Sequence, residues 1–390
     1  MFPYSALIFD AAGNLYGTTG NGGQYSQGNV FELSPQGGGV WTFKELHSFG
    51  DGNDGQSPWG GSLLLDPSGN LYGTTRYGGT ALCDPLQPVG CGIVFELSPR
   101  AGGDWTYKVL HDFNGNGAGT DGYHPNGGLI MDSSGNLYGT TLSGGIYASA
   151  LVGGTVFELK PTAKGAWKEQ VLHNFSGGLY DGNYPQCTLA FDAAGNLYGT
   201  TNLGGVANVL LGGNGTVFQM THTAGGWSER LILNFNADSS GFSGVAPLAG
   251  VIFDKAGNLY GTTEYGGTYL YGNVFELTRS GGNKWTETVL HSFNFNGQDG
   301  QEPWDPLILD ATGNLYGTTF QGGVAGAGTV FKLAPTGNSW TETILHNFQD
   351  NGIDGDFPDA AVLLDSRGNV YGTTPSGGTG VDGTVFEILQ

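Results

Sequence analysis

One heptapeptide constrains this chain more than any other feature. Gly-Asn-Leu-Tyr-Gly-Thr-Thr recurs with its Asn at 14, 70, 136, 196, 258 and 314, and a seventh copy, with Val370 in place of Leu, has its Asn at 369. Successive copies lie 56, 66, 60, 62, 56 and 55 residues apart, so the unit is steady and the loops vary. A chain of 390 residues would ordinarily divide into two or three domains, but stacked equivalent units can share one continuous core.

Each copy follows an apolar run ending in Asp, such as Leu63-Leu64-Leu65-Asp66. A Gly-rich loop and a Val-Phe-Glu-Leu strand come next, such as Val94 to Leu97, and then a segment from Trp to Leu-His-x-Phe, such as Trp105 to Phe113. These are four short strands per repeat, here called A to D in chain order, with turn signals at hairpin spacing. The A–B connection, Asp-x-x-Gly-Asn, suits a tight turn with glycine in the left-handed position and Asp bonding back to the turn amides.

Repeated four-stranded antiparallel sheets make a β-propeller rather than a solenoid, which uses shorter repeats and parallel stacking. The expected fold is all-β: one seven-bladed propeller domain over 1–390, with blades near 7–49, 62–113, 128–175, 188–235, 250–293, 306–348 and 361–389. Strand A, uniformly apolar, is expected innermost and D outermost. Period-two alternation in D (Trp285, Glu287, Val289, His291, Phe293) is expected to set Trp, His and Phe on one face, against the next blade.

The Trp-led D strand occurs six times, starting at Trp41, Trp105, Trp167, Trp227, Trp285 and Trp340. A three-stranded seventh blade is therefore expected, with Val385 to Leu389 as an edge open to contact with another chain.

Composition supports this reading. Glycine fills 74 positions without a collagen period, which signals many tight turns, and aromatics at 12% supply large apolar surface for a core. No stretch approaches the roughly 20 apolar residues of a membrane helix, so no membrane insertion is expected. With 13 basic and 34 acidic residues the formal charge is −21, a field that repels nucleic-acid phosphates. Cys83 and Cys91 are close enough in sequence to close a small disulfide ring, and Cys187 has no evident partner.

The Asn-Leu-Tyr-Gly-Thr-Thr and Val-Phe-Glu-Leu signature resembles the GloVer (Gloeo/Verruco) tandem repeat of bacterial proteins. The resemblance spans essentially the whole chain. It implies a secreted or surface-anchored repeat protein, hence an extracellular or cell-surface location, and brings no catalytic residues with it.

The repeated polar residues read as structural. His47, His111, His173, His291 and His346 share one position, with Asn234 at the sixth; spread around a ring, they cannot converge on one metal ion. Asp10, Asp66, Asp132, Asp192, Asp254, Asp310 and Asp365 end strand A and cap the A–B turn. No cofactor is expected, a ring of carboxylates around a Ca2+ ion being the minority alternative.

Function is expected where the repeat is broken, on the face carrying the D–A and B–C loops. After a repeated Pro come Tyr4, Trp59, Asn126, Gln186, Leu248, Trp304 and Asp359, and after strand B come Arg76, Asn202, Glu264 and Phe320, with Tyr77 and Tyr265 beside them. Aromatics beside amides and carboxylates suit a glycan, with another protein as the alternative ligand. The second reading is a polysaccharide hydrolase or lyase drawing an acid or base from His124, Glu302 and Asp305. A structural repeat module is the third.

Overall fold

The computed structural model describes residues 2–83, 89–115, 121–147, 153–178, 180–206, 213–235, 243–282 and 284–390. The chain is a seven-bladed β-propeller, and every regular element among the described residues is a strand. It divides into two compact units, Met1–Asn174 with three blades and Phe175–Gln390 with four. Blade six shows the pattern: A is Ile308–Leu309, B Leu315–Thr319, C Thr329–Thr336 and D Ser339–Asn347, hydrogen-bonded in that order. Blade seven has three strands, Leu363–Leu364, Val370–Thr374 and Thr384–Ile388.

The heptapeptide explains each blade. The Asp310 carboxylate accepts the Thr312 and Asn314 amides at 2.8 and 2.9 Å and the Asn314 side-chain amide at 2.7 Å. Tyr316 donates its hydroxyl to the same group at 3.2 Å. The central glycine lies under the Phe of strand C, where a Cβ on Gly317 would sit 2.7 Å from Phe331 Cζ. The first Thr ties a blade to the next: Thr318 Oγ1 donates to Ala360 O at 3.2 Å, and Thr18 Oγ1 to Pro58 O at 3.1 Å. The second Thr bonds within its own blade, as Thr319 does to Thr329 at 2.9 Å. Buried Phe rings meet edge-on between blades, Phe293 against Phe331 and Phe49 against Phe95, each at 5.2 Å.

The expected facing of strand D requires a correction. A register shift interrupts all six D strands before the His position, as between Val289 and His291, and in blade four it puts Leu233, not the expected Asn234, at that position. One extra residue, here Leu290, reverses the alternation of faces. Trp285 therefore packs back on Tyr198 of the preceding blade at 6.2 Å, while His291 and Phe293 face the following blade.

Cys83 and Cys91 form a disulfide in the B–C insertion of blade two, of which residues 84–88 lie outside the described part. Cys187 is a buried thiol that bonds to the backbone of Thr200.

Candidate functional site

A second repeated device, invisible in the heptapeptide, builds the loop face. The D–A connections read Asp-Gly-x-x-Pro at residues 54–58, 121–125, 181–185, 299–303 and 354–358, with Ser243 opening the sixth copy. Its Gly pairs with the stretch just after strand B, as Gly300–Gln301 does with Gln321–Gly322. The residue before Pro is left-handed in all six: Ser57, His124, Tyr184, Ala246, Glu302 and Phe357, with φ between 50 and 57°. Such a backbone costs a non-glycine residue about 1–2 kcal/mol. It is held from both sides: Glu302 donates its amide to Tyr271 O of blade five, and its carbonyl accepts the Phe320 amide of blade six, both at 3.0 Å. The scaffold thus fixes one backbone geometry and lets the side chain vary from blade to blade.

In the first unit the expected residues assemble around a cation. Tyr4 stacks on Trp59 at 4.7 Å and 27°. The Arg76 guanidinium lies 5.5 Å from the Trp59 ring and 5.4 Å from Tyr77, and its buried Nε has no hydrogen-bond partner among the described residues. Tyr77 meets His124 edge-on at 5.0 Å, and Tyr123 meets it at 4.8 Å from its own strand. Asn126 and, in the second unit, Gln186 hold the post-proline position in blades three and four, half-buried, and add no ring to these stacks.

In the second unit the cluster is acidic. Half-buried Trp304 stacks on Phe320 at 3.8 Å and 14°, and Phe320 leans on Phe357 at 5.3 Å. Burial raises the Glu264 carboxyl, with the nearby Glu302 charge adding to it, and burial raises Glu302 itself. The hydrogen bond to Glu264 pushes the exposed Tyr265 hydroxyl up to about 12. Asp305 sits deep among protein atoms; that burial, and then the Asp359 charge, holds its carboxyl well above the usual range. Its Oδ2 accepts from Thr318 Oγ1 at 3.1 Å. Burial pushes Asp359 up to about 6. The acid–base candidates therefore sort differently from the sequence grouping: Glu302 interacts with Glu264, Asp305 with Asp359, and His124 with the tyrosines of the first unit.

Sequence reasoning missed Phe357, which completes the aromatic line, and the left-handed presentation of Glu302 and His124. The recurring Asp-Gly spaced before Pro was the signal that could have found them.

The chain belongs to the Gloeobacter/Verrucomicrobia repeat family, whose model matches residues 1–210, 87–294 and 210–390. A comparison with curated protein sequences gave no match. Among solved structures it is similar to the periplasmic gluconolactonase of Pseudomonas aeruginosa, with a TM-score of 0.53 and 15% identity over 97% of this chain and 94% of the other. A gluconolactonase from Xanthomonas campestris is also similar, with a TM-score of 0.42 and 14% identity over 83% of this chain and 90% of that one. At such identities the likeness is one of fold.

Proposed function

We propose that this Gloeobacter/Verrucomicrobia repeat protein is an extracytoplasmic binding propeller, and that its ligand is a neutral glycan held on the loop face of the second unit. The observation that carries the reading is the Trp304–Phe320 stack beside Glu264, Tyr265 and Glu302. Aromatic faces supply apolar contact for pyranose rings, and carboxylates and a phenol accept or donate to sugar hydroxyls. A net charge of −21 disfavours polyanionic sugars, and the Cys83–Cys91 disulfide suits an oxidising compartment.

A glycan array read with the full chain identifies the ligand, and calorimetry with Trp304→Ala tests the site. Losing the stacking ring weakens binding about tenfold. Unchanged affinity in Trp304→Ala overturns this placement, and no glycan bound by the array overturns the ligand class. The raised carboxyls of Glu302 and Asp305 also favour a hydrolytic reading of the same face. Turnover of the bound glycan that vanishes in Glu302→Gln would make the protein an enzyme.

A further inference from the structure

Four of the five strand-D histidines, two in each unit, stand between blades in two distinct settings. His47 and His346 make ordinary contacts with the Asp of the following D–A loop, Nε2 to Asp54 at 3.0 Å and to Asp354 at 2.9 Å. Tyr107 stacks on His47 at 3.9 Å from the next blade, and the three-stranded blade after His346 has no strand D. At two other seams the next blade supplies a glutamate. Here the His–Asp contact opens to 3.4 Å, for His111 with Asp121 and for His291 with Asp299. His291 Nε2 is 3.4 Å from each Asp299 oxygen and 3.6 Å from Glu342 Oε1. In each of these triads the three donor atoms lie within 4.8 Å of one another.

Those separations are informative. Ligands about 2.0–2.1 Å from a tetrahedral ion stand roughly 3.4 Å apart, whereas a charge-assisted hydrogen bond closes to about 2.8 Å. The Oε1 atoms of Glu169 and Glu342 are buried with no donor in hydrogen-bond range among the described residues. With the imidazole neutral and both carboxyls ionised, as metal ligands must be, each triad carries two negative charges, which a divalent cation balances.

We propose that His111, Asp121 and Glu169, and likewise His291, Asp299 and Glu342, bind a zinc-class divalent ion that staples one blade to the next. One nitrogen and two oxygens suit Zn2+ or Co2+, with water in the fourth position. Each seam takes its own ion, so the ring arrangement of the histidines is no obstacle. Asp299 is 5% exposed and His291 20%, which leaves the imidazole edge as the way in.

The test uses the full chain, stripped with EDTA, loaded with ZnCl2 in excess Mg2+, desalted and assayed for zinc by mass spectrometry. Glu169→Gln and Glu342→Gln each keep the shape of the side chain and are expected to lose one equivalent. His346→Ala, at a pair without a glutamate, keeps the full count. Co2+ loaded on the unmutated chain gives the absorption of a tetrahedral nitrogen–oxygen site, a readout independent of any variant's folding. Zinc content no higher than the buffer blank, or glutamine variants that hold as much zinc as the parent, would overturn the proposal.

Discussion

Asp305 and Asp310 lie five residues apart at opposite ends of the inner strand of blade six, and their surroundings act on them in opposite directions. At Asp310 burial opposes ionisation, but hydrogen bonds from Asn314 and Thr312 outweigh it and bring the carboxyl down to about 2. At Asp305 burial and the Asp359 charge prevail over a single bond from Thr318. The same aspartate recurs at the Asp310 position in all seven blades, whereas Tyr4, Trp59 and Trp304 are among the residues at or beside the Asp305 end. In blade six one end of the inner strand holds the turn, and the other carries Asp305, whose carboxyl burial and Asp359 leave unbalanced.

Removing the satisfied end gives the largest effect. Asp310→Ala deprives two backbone amides, the Asn314 side chain and the buried Tyr316 hydroxyl of their acceptor. Loss of such a cap costs about 1–2 kcal/mol, read as a lower urea midpoint with an unchanged slope. A change below about 0.5 kcal/mol would mean the turn holds itself and the comparison fails at its firmer end.

Asp305→Asn changes stability in the opposite sense. Asn keeps the bond from Thr318 but removes a charge facing Asp359. An acid whose folded pKa is raised stabilises the fold fully below its unfolded value near 4, and that contribution is lost as pH rises through the folded pKa. For Asp359, raised to about 6, the loss falls between about pH 4 and 6. A depressed acid such as Asp310 adds stability above about pH 4 that disappears as pH falls through about 2. The Asn variant is therefore expected to melt higher than the parent at pH 7.5, by on the order of 1 kcal/mol, and equally at pH 4. A lower midpoint at pH 7.5 would show that the ionised pair is a structural asset.

The same contrast decides what the sequence made legible. Blade number, strand order, the turn aspartates and the short seventh blade follow from repetition, because a residue kept seven times answers to a local rule. The facing of strand D was misread because a bulge adds one residue without any change of composition, so Trp285 and His291 look equivalent until the register is seen. The Asp–His pairing left a trace: where Leu233 stands at the His position, Ser243 replaces the Asp ten residues on. Asp305 left none. Its burial depends on strands from neighbouring blades, and no local pattern marks it apart from a solvated aspartate.

The smallest effect tests whether the left-handed backbone at Glu302 serves the proposed binding site. Glu302 and Ala246 occupy the same left-handed position in successive blades, at φ 56 and 57°. Glycine there removes about 1–2 kcal/mol of strain but costs about 0.5–1 kcal/mol of unfolded-chain entropy, so each glycine variant gains at most about 1.5 kcal/mol. At pH 4, where the raised Glu302 carboxyl is mostly protonated, stability should thus change alike in Glu302→Gly and Ala246→Gly. Binding should not: only Glu302→Gly removes a carboxyl beside Glu264 and Trp304, so it alone weakens the captured glycan. If Glu302→Gly instead unfolds far more readily than Ala246→Gly, the carboxyl is holding the blades together. If both variants bind as the parent does, the left-handed positions only turn the chain, and the ligand lies elsewhere on the face.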